Sequence, residues 1–245
     1  MSKNRHEGLP VTGAHDLAAG DTIVRHRHDD HQIVYPSSGV VAVTTEVGSW
    51  IAPPDRALWI PAGAWHEHRF YGSARFHCVA FEPAQVRAPF ATPAVVSVSP
   101  LVRELIVSCS LATDLPPGEG ARLRQVLIDQ LRHCPERPLH LPAPIDDRLR
   151  RACALVESDL SVARSLAELG RACGAGERTL SRLFRTEFGM TYPQWRTQLR
   201  LYRAVQLLAE SMPVTAVATA CGWSTPSAFI DVYRRVLGHT PGTRF

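Results

Sequence analysis

Three histidines in the N-terminal half have the residue type and spacing of metal ligands. His26 and His28 are two residues apart, so on a β-strand both rings would point to the same face. Gln32 follows at the same parity, and a Pro-Ala-Gly turn further along the chain delivers His66. Three imidazoles with one oxygen ligand can hold a divalent ion and leave coordination positions open. The candidate metal ligands are therefore His26, His28, Gln32 and His66.

The same histidines could instead line a pocket for an organic ligand. In that case His68 and His77 are the further candidates for the effector pocket. His31 has the opposite strand parity to His26 and His28, so we expect it to point away from them. The residue types alone leave the metal centre and the metal-free pocket both open.

The stretch that carries these histidines has a pattern that predicts β-structure. Short runs rich in β-branched and aromatic residues recur up to about residue 90, and turn signals separate them. The runs are QIVY at 32–35, VVAVTTEV at 40–47 and ALWIPA at 57–62, and the turn signals lie at 37–39, 48–49, 53–55 and 71–73. Strands at such short spacing favour a barrel or a sandwich.

Near Pro100 the apolar period changes from that of strands to that of helices. Two helices with apolar faces are predicted before residue 134, and a proline-rich stretch at 134–144 then predicts a linker. The apolar faces could be buried in a dimer or against the sheet. The predicted organisation is a sheet domain at 1–95, a helical connector and linker at 96–144, and an all-helical domain at 145–245.

Composition limits the classes of protein to which the chain can belong. Its 245 residues carry 27 basic and 23 acidic side chains and suffice for two modest domains. It has no run of 18 apolar residues and no signal-like apolar start, so we expect a cytoplasmic protein without a membrane partner. The six cysteines form no CxxC pair, which is typical of reduced, buried thiols.

Charge is unevenly distributed along the chain. Residues 145–245 carry 14 basic and 9 acidic side chains, whereas the preceding part is close to neutral. A basic helical half predicts a polyanionic partner such as a nucleic acid.

The last eighty residues repeat themselves at a shift of about 49 positions. Cys173-Gly174 is echoed by Cys221-Gly222, for example, and Phe184 by Tyr233. Each copy predicts a short helix, a glycine turn and a longer helix, the plan of a helix-turn-helix. The predicted helices span 165–173 and 177–188 in the first copy, 214–221 and 226–237 in the second, with a joining helix at 192–210.

Residues from about 145 to the C-terminus resemble the double helix-turn-helix domain of the AraC/XylS transcriptional regulators. The residues that carry the resemblance are Ser165-Leu166-Ala167-x-Leu169, Leu180-Ser-Arg-Leu-Phe184, Ala216-x-Ala218-x-x-x-Cys221-Gly222-Trp223, Phe229-x-x-x-Tyr233-Arg234-Arg235 and Gly238-His-Thr240-Pro241. This resemblance implies two recognition helices in successive major-groove segments of double-stranded DNA.

The resemblance assigns the first set of DNA contacts to the outward face of the helix at 177–188. Arginines four residues apart can reach guanine edges or flanking phosphates. The alternative is a basic face that is merely solvated. The assigned residues are Arg178, Ser181, Arg182 and Arg185.

In the second copy, the equivalent face departs from the long polar side chains usual in the family. Ser227 is the remaining candidate for a groove contact, and Ile230 and Asp231 lie beside it. A carboxylate repels phosphate, so we expect little direct base reading by this helix. Arg234 and Arg235 are expected to bind phosphate instead.

The histidine segments are similar to the two motifs of the cupin superfamily. The matching residues are Gly20, His26, His28 and Gly39 in the first motif and Pro61, Gly63 and His66 in the second. Gln32 stands in place of the glutamate of the first motif, and Asp55 and Phe70 depart from the second. The resemblance implies a small β-barrel of jelly-roll type that senses a small molecule or a divalent metal ion, such as Zn, Ni, Co, Mn or Fe.

Together the two resemblances predict an α+β multidomain, one-component transcriptional regulator and not an enzyme. It would comprise a cupin-like barrel, a helical connector and an all-α double helix-turn-helix. Its partners would be promoter or operator DNA, the effector, a second copy of the chain and, for an activator, RNA polymerase. The alternatives are a metal-dependent cupin enzyme of dioxygenase or isomerase type, and a cupin binding protein with a helical assembly domain. Neither explains a repeated helix-turn-helix with paired arginines.

Overall fold

The chain forms two compact units. The computed structural model describes residues 5–6 (backbone only), 9–112, 115–116, 118–134 and 139–242. One unit contains the described residues up to 46 and from 50 to 134, and the other contains 47–49 and the residues from 139 onward. No helix within these described ranges is long and apolar enough to cross a membrane. All six cysteines are free thiols, and five of them are buried, as the sequence predicts for reduced thiols in a protein core.

The N-terminal half is rich in β-strands, as predicted. Its two longest strands, β4 and β7, pair antiparallel along most of their length, β7 also pairs with β2 and β3, and β6 pairs with β4 and β8. Alternate residues of these strands face an apolar interior. The strands are β1 (Arg5–His6), β2 (Gly13–Leu17), β3 (Thr22–His26), β4 (His31–Thr45), β5 (Gly48–Ala52), β6 (Arg56–Ile60), β7 (His66–Phe81) and β8 (Ala94–Ser97).

Two of the predicted turns are wrong. The signal at 37–39 lies inside β4 and the signal at 71–73 lies inside β7, where the paired strands shift register. Gly39 has a φ of 68°, and a Cβ on it would lie 2.8 Å from the backbone of Ala74. Glycine permits this close approach at a bulge, so the strands bend without leaving the sheet.

Helices α1 (Pro100–Leu111) and α2 (Glu119–His133) belong to the sheet-containing unit. Ile106 and Leu127 are fully buried in a core that they share with Ile33 and Trp59 of the sheet. The apolar faces of the two helices therefore pack against the sheet, one of the two partners expected for them. The boundary predicted at residue 95 therefore falls inside a compact unit. Of the predicted linker, residues 135–138 lie outside the described ranges, and His140–Pro142 form a short strand, β9.

The C-terminal unit is helical, and each of its five predicted helices ends within one residue of the predicted position. Leu180, Phe184 and Trp195 are buried in its core, as predicted. Thr191 caps the joining helix by accepting from the backbone N–H of Gln194. The helices are α3 (Asp147–Ser158), α4 (Leu166–Cys173), α5 (Glu177–Phe188), α6 (Tyr192–Ala209), α7 (Val214–Ala220) and α8 (Pro226–Leu237).

Candidate metal centre and nucleic-acid interface

Four imidazoles meet where β3 ends and β7 begins. His26 pairs with His66 across the two strands, and their ring centroids are 4.3 Å apart. The centroid of His28 lies 5.0 Å from that of His66, and His68 lies 5.1 Å from His66 on the same face of β7. His66 and His68 are buried, whereas His26 and His28 are half-buried. The structure thus brings together the three predicted histidine ligands and one of the predicted pocket residues.

Backbone carbonyls fix the protonation of three of these rings. A carbonyl oxygen only accepts, so each Nδ1 that contacts one must carry the proton. In the neutral form of each ring Nε2 then presents a lone pair, the arrangement in which histidine binds metal ions while its other nitrogen is held by the protein. The three contacts are His26 Nδ1 to Val24 O at 2.8 Å, His28 Nδ1 to Asp30 O at 2.7 Å, and His66 Nδ1 to Ala64 O at 2.9 Å.

Gln32 lies beside His28, as predicted. Its Nε2 donates to the carbonyl of Val11 at 3.0 Å, which fixes the orientation of the amide. Its Oε1 then lies 3.3 Å from Nε2 of His28, whose other nitrogen already donates to Asp30. When the His28 ring is neutral, two lone pairs therefore face each other, an arrangement that a shared cation would stabilise. The donor set fits a divalent ion.

Burial keeps the interior rings neutral. Desolvation lowers the pKa of His66 to about 4 and lowers the pKa of His68 well below its ordinary value. Both imidazoles are consequently uncharged near neutral pH, which is the form that binds a metal ion.

The nitrogens of three rings form the most compact group. Within the described residues, one ring nitrogen from each of His26, His66 and His68 lies within 4.8 Å of the others. Sequence reasoning placed His68 in the effector pocket and not among the ligands. Its spacing of two residues from His66, which puts both rings on one strand face, was the available signal.

His77 has a different environment from the four clustered histidines. Its Nδ1 lies 2.8 Å from Oγ of Ser110 on α1, and its Nε2 lies 3.0 Å from Oγ of Ser37. Burial lowers its pKa to about 4. These hydrogen bonds connect β7 to α1 and to β4, and the structure does not bring His77 to the other four rings. His31 also lies apart, accepting from the backbone of Ala62.

The outward face of α5 is basic and open. Arg178, Arg182 and Arg185 are exposed, whereas Leu180 and Phe184 of the same helix are buried. Arg185 donates to Oγ of Ser181 at 3.2 Å. In the part of the chain that the structure describes, Arg178 and Arg182 form neither a hydrogen bond nor an ion pair. Two such arginines one helical turn apart present a forked donor pair to an anionic or guanine-bearing surface.

The outward face of α8 is less cationic. Ser227, Arg234 and Arg235 are exposed, as is Asp231, whose carboxylate lies 3.9 Å from the guanidinium of Arg234. At the 49-residue shift of the repeat, Asp231 stands where α5 has Arg182. The charge is thus reversed at the centre of the second helix.

Arg200 of α6 connects the joining helix to the second helix-turn-helix. It is buried, its Nε donates to the carbonyl of Cys221 at 2.6 Å, and its guanidinium carbon lies 3.6 Å from the ring centroid of Trp223. Gly222, between those two residues, has a φ of 73°, and a Cβ on it would overlap the carbonyl oxygen of Leu160. Sequence reasoning missed Arg200, because a charged residue within an apolar helix face gives no sign of its partner.

Comparison with known proteins identifies two families along the chain. A family described as "AraC-like ligand binding domain" matches residues 9–108, and one described as "Helix-turn-helix domain" matches residues 169–244. The HTH-type transcriptional regulator NimR of Escherichia coli K12 is 33% identical over 219 residues, which cover 89% of this chain and 80% of NimR. The HTH-type transcriptional regulator ExsA of Pseudomonas aeruginosa is 25% identical over 249 residues, covering 97% of this chain and 85% of ExsA. The crystal structure of ToxT from Vibrio cholerae aligns with 94% of this chain and 95% of its own at 10% identity and a TM-score of 0.40.

Proposed function

Because the chain belongs to the AraC family of transcriptional regulators, we propose that its α5 face reads operator DNA and that its histidine cluster forms the effector site. The chain is a DNA-binding regulator with a ligand-binding domain and is not an enzyme. The observation that carries the proposal is the pair of unengaged arginines, Arg178 and Arg182, on the second helix of a helix-turn-helix. In that motif the second helix enters the major groove.

The two helix-turn-helix copies make different kinds of contact with DNA. Arg178, Arg182 and Arg185 on α5 supply base contacts and phosphate contacts, with Ser181 beside them. On α8, Arg234 and Arg235 contact phosphate and Ser227 faces the groove. Phosphate contacts set register and affinity, while base contacts set sequence preference. Specificity therefore resides mainly in the first copy.

The effector site takes a divalent metal ion. His26, His28 and His66 would hold it through Nε2, with Oε1 of Gln32 as the oxygen ligand. When bound, the ion supplies a fixed positive charge with open positions for a small ligand. The chain's contribution is to hold three Nδ1 protons on backbone carbonyls, so that the lone pairs converge.

Regulation requires a difference in effector binding between two states of the protein. We expect a homodimer on a paired operator site, contact with RNA polymerase if the output is activation, and a cytoplasmic location, where the operator is found. The family membership and the DNA-binding domain support these expectations.

The experiment that tests the DNA assignment compares Arg182→Ala with Arg122→Ala, an exposed arginine of α2. The probe is duplex DNA selected from a random library by the unaltered protein. We expect Arg182→Ala to lose about 1–3 kcal/mol of binding and to relax preference at one base pair. Arg122→Ala should bind like the parent. Equal affinities of the two variants, with both folded, would contradict the assignment of α5 as the reading helix.

A further inference from the structure

His68 is buried without the hydrogen bonds that a buried imidazole needs. Only 2% of its surface is exposed. Among the described residues, neither Nδ1 nor Nε2 has a hydrogen-bond partner, although His26, His28 and His66 each hold Nδ1 on a carbonyl. A buried polar group without a hydrogen-bond partner lowers the stability of the folded protein. The imidazole is therefore destabilising unless a ligand completes it.

The packing around His68 requires a planar ring at this position but does not require ring nitrogens. The ring stacks on Phe70 at 6.3 Å and meets Phe76 edge-on at 5.4 Å between centroids. A phenyl ring at position 68 would make the same contacts without burying two nitrogens. Something other than packing must account for the two nitrogen atoms.

The geometry places that missing partner among the other histidines. The His68 centroid lies 5.1 Å from that of His66 and 5.8 Å from that of His26, and one nitrogen of each ring lies within 4.8 Å of the others. The Nε2 of His66 is likewise buried without a partner in the described part of the chain. The ring nitrogens of His66 and His68 therefore lie close together and receive no hydrogen bond from the described residues. One cation bound between them would satisfy both.

We propose that His68 is an additional ligand of the divalent ion, so that imidazoles and the Gln32 amide surround it without any carboxylate. This inference rests on the proposed metal site and extends it by one residue. A donor set dominated by imidazole suits Zn²⁺, Co²⁺, Ni²⁺ or Cu²⁺ and is poor for Mg²⁺ or Mn²⁺, which favour oxygen. The site is therefore selective for the later transition metals.

The test uses the full chain, stripped with a chelator and titrated with Zn²⁺ against a competing chromophoric chelator. His68→Phe is compared with His77→Phe, since both remove a buried histidine but only His77 has hydrogen bonds to both nitrogens. We expect His68→Phe to weaken Zn²⁺ binding at least about tenfold while the metal-free protein melts at the parent temperature or above it. His77→Phe should show the reverse, with parental Zn²⁺ affinity and a lower melting temperature.

A second variant reports coordination directly and does not depend on affinity. In His68→Cys loaded with Co²⁺, a ligand at position 68 should add a thiolate-to-cobalt charge-transfer band that the parent protein and His77→Cys lack. Parental Zn²⁺ affinity in His68→Phe and no such band in His68→Cys would overturn the assignment of His68. If the parent protein binds metal that a His26→Ala/His28→Ala variant does not, the proposed site stands even then. No metal bound by the parent protein would overturn the site and the inference together.

Discussion

The two helix-turn-helix copies share a fold but differ in what they expose and in how they are held. In the first copy, α5 presents arginines that have no partner among the described residues, and its N-cap residue, Gly176, supplies no side-chain hydrogen bond. In the second, α8 has Asp231 at the equivalent of Arg182, and its N-cap residue is Thr225, whose hydroxyl accepts from the backbone N–H of Ala228. The two copies thus differ in exposed charge and in the capping of the helix that carries it.

Contacts made by the joining helix α6 and by Leu160, two residues after the end of α3, add to this difference. Arg200 donates to the carbonyl of Cys221, as Arg151 donates to the carbonyl of Cys173 in the first copy, but Arg200 also stacks on the ring of Trp223. Gly222 packs against the backbone of Leu160. At the equivalent glycine of the first copy, Gly174, a Cβ would meet no described atom within 4 Å. The two copies therefore keep the same helix-turn-helix while the space around the turn glycine differs between them.

The largest expected effect comes from adding one methyl group at each turn. Gly222→Ala combines an unfavourable positive φ with overlap at Leu160, and should lower the free energy of unfolding by about 3–5 kcal/mol. Gly174→Ala has only the unfavourable φ and should cost about 1–2 kcal/mol. Chemical denaturation of both variants measures the difference. Equal losses would show that the second copy is held no more tightly than the first.

The next effect separates the two outward faces. Arg178→Ala should lose about 1–3 kcal/mol of specific DNA binding, whereas Ser227→Ala, at the equivalent position of α8, should change it by less than about 0.5 kcal/mol. The measurement is fluorescence anisotropy on the selected duplex at fixed salt. A larger loss for Ser227→Ala would reverse the assignment of the reading helix.

Salt dependence distinguishes phosphate contacts from base contacts. Arg234→Ala and Arg235→Ala should each weaken binding by a similar factor on selected and unrelated DNA, and should reduce the slope of log affinity against log salt by about 1. Arg132→Ala, on the exposed surface of α2, serves as the matched control. A loss confined to selected DNA would instead assign these residues to base reading.

The smallest expected effect concerns the two helix starts. Thr225→Ala removes the cap of α8 and should cost about 1 kcal/mol of stability. Gly176→Ser adds a cap to α5 and should gain only about a few tenths of a kcal/mol. Thermal melts of the metal-free protein test both signs. Loss of stability in Gly176→Ser would mean that the glycine is needed for the turn itself.

Local patterns were sufficient to predict most of the fold. Glycine turns and apolar spacing located α5 and α8 to the residue, because those signals lie within a few positions of the helix ends they determine. The predicted turn at 37–39 was wrong because its glycine serves contact with a distant strand. Local turn chemistry cannot distinguish a reversal of the chain from a bulge that bends paired strands.

Residues of the candidate sites could be predicted only where a sequence motif specifies both the residue type and its spacing. His26, His28, Gln32 and His66 follow from spacing, and the structure places them together. The role inferred for His68 depends on the absence, among the described residues, of hydrogen bonds to a buried ring, which only three-dimensional packing reveals. Arg200 is similar, since its partners lie about twenty residues further along the chain.

The close approach of Gly222 to Leu160 determines which piece of this protein can be exchanged with a relative. Leu160 precedes the first helix-turn-helix and Gly222 forms the turn of the second, so the contact spans nearly the whole pair. A chimera that imports the second copy alone would place a foreign turn against a native backbone with no room for adjustment. The transferable cassette therefore runs from α3 through α8 in one piece.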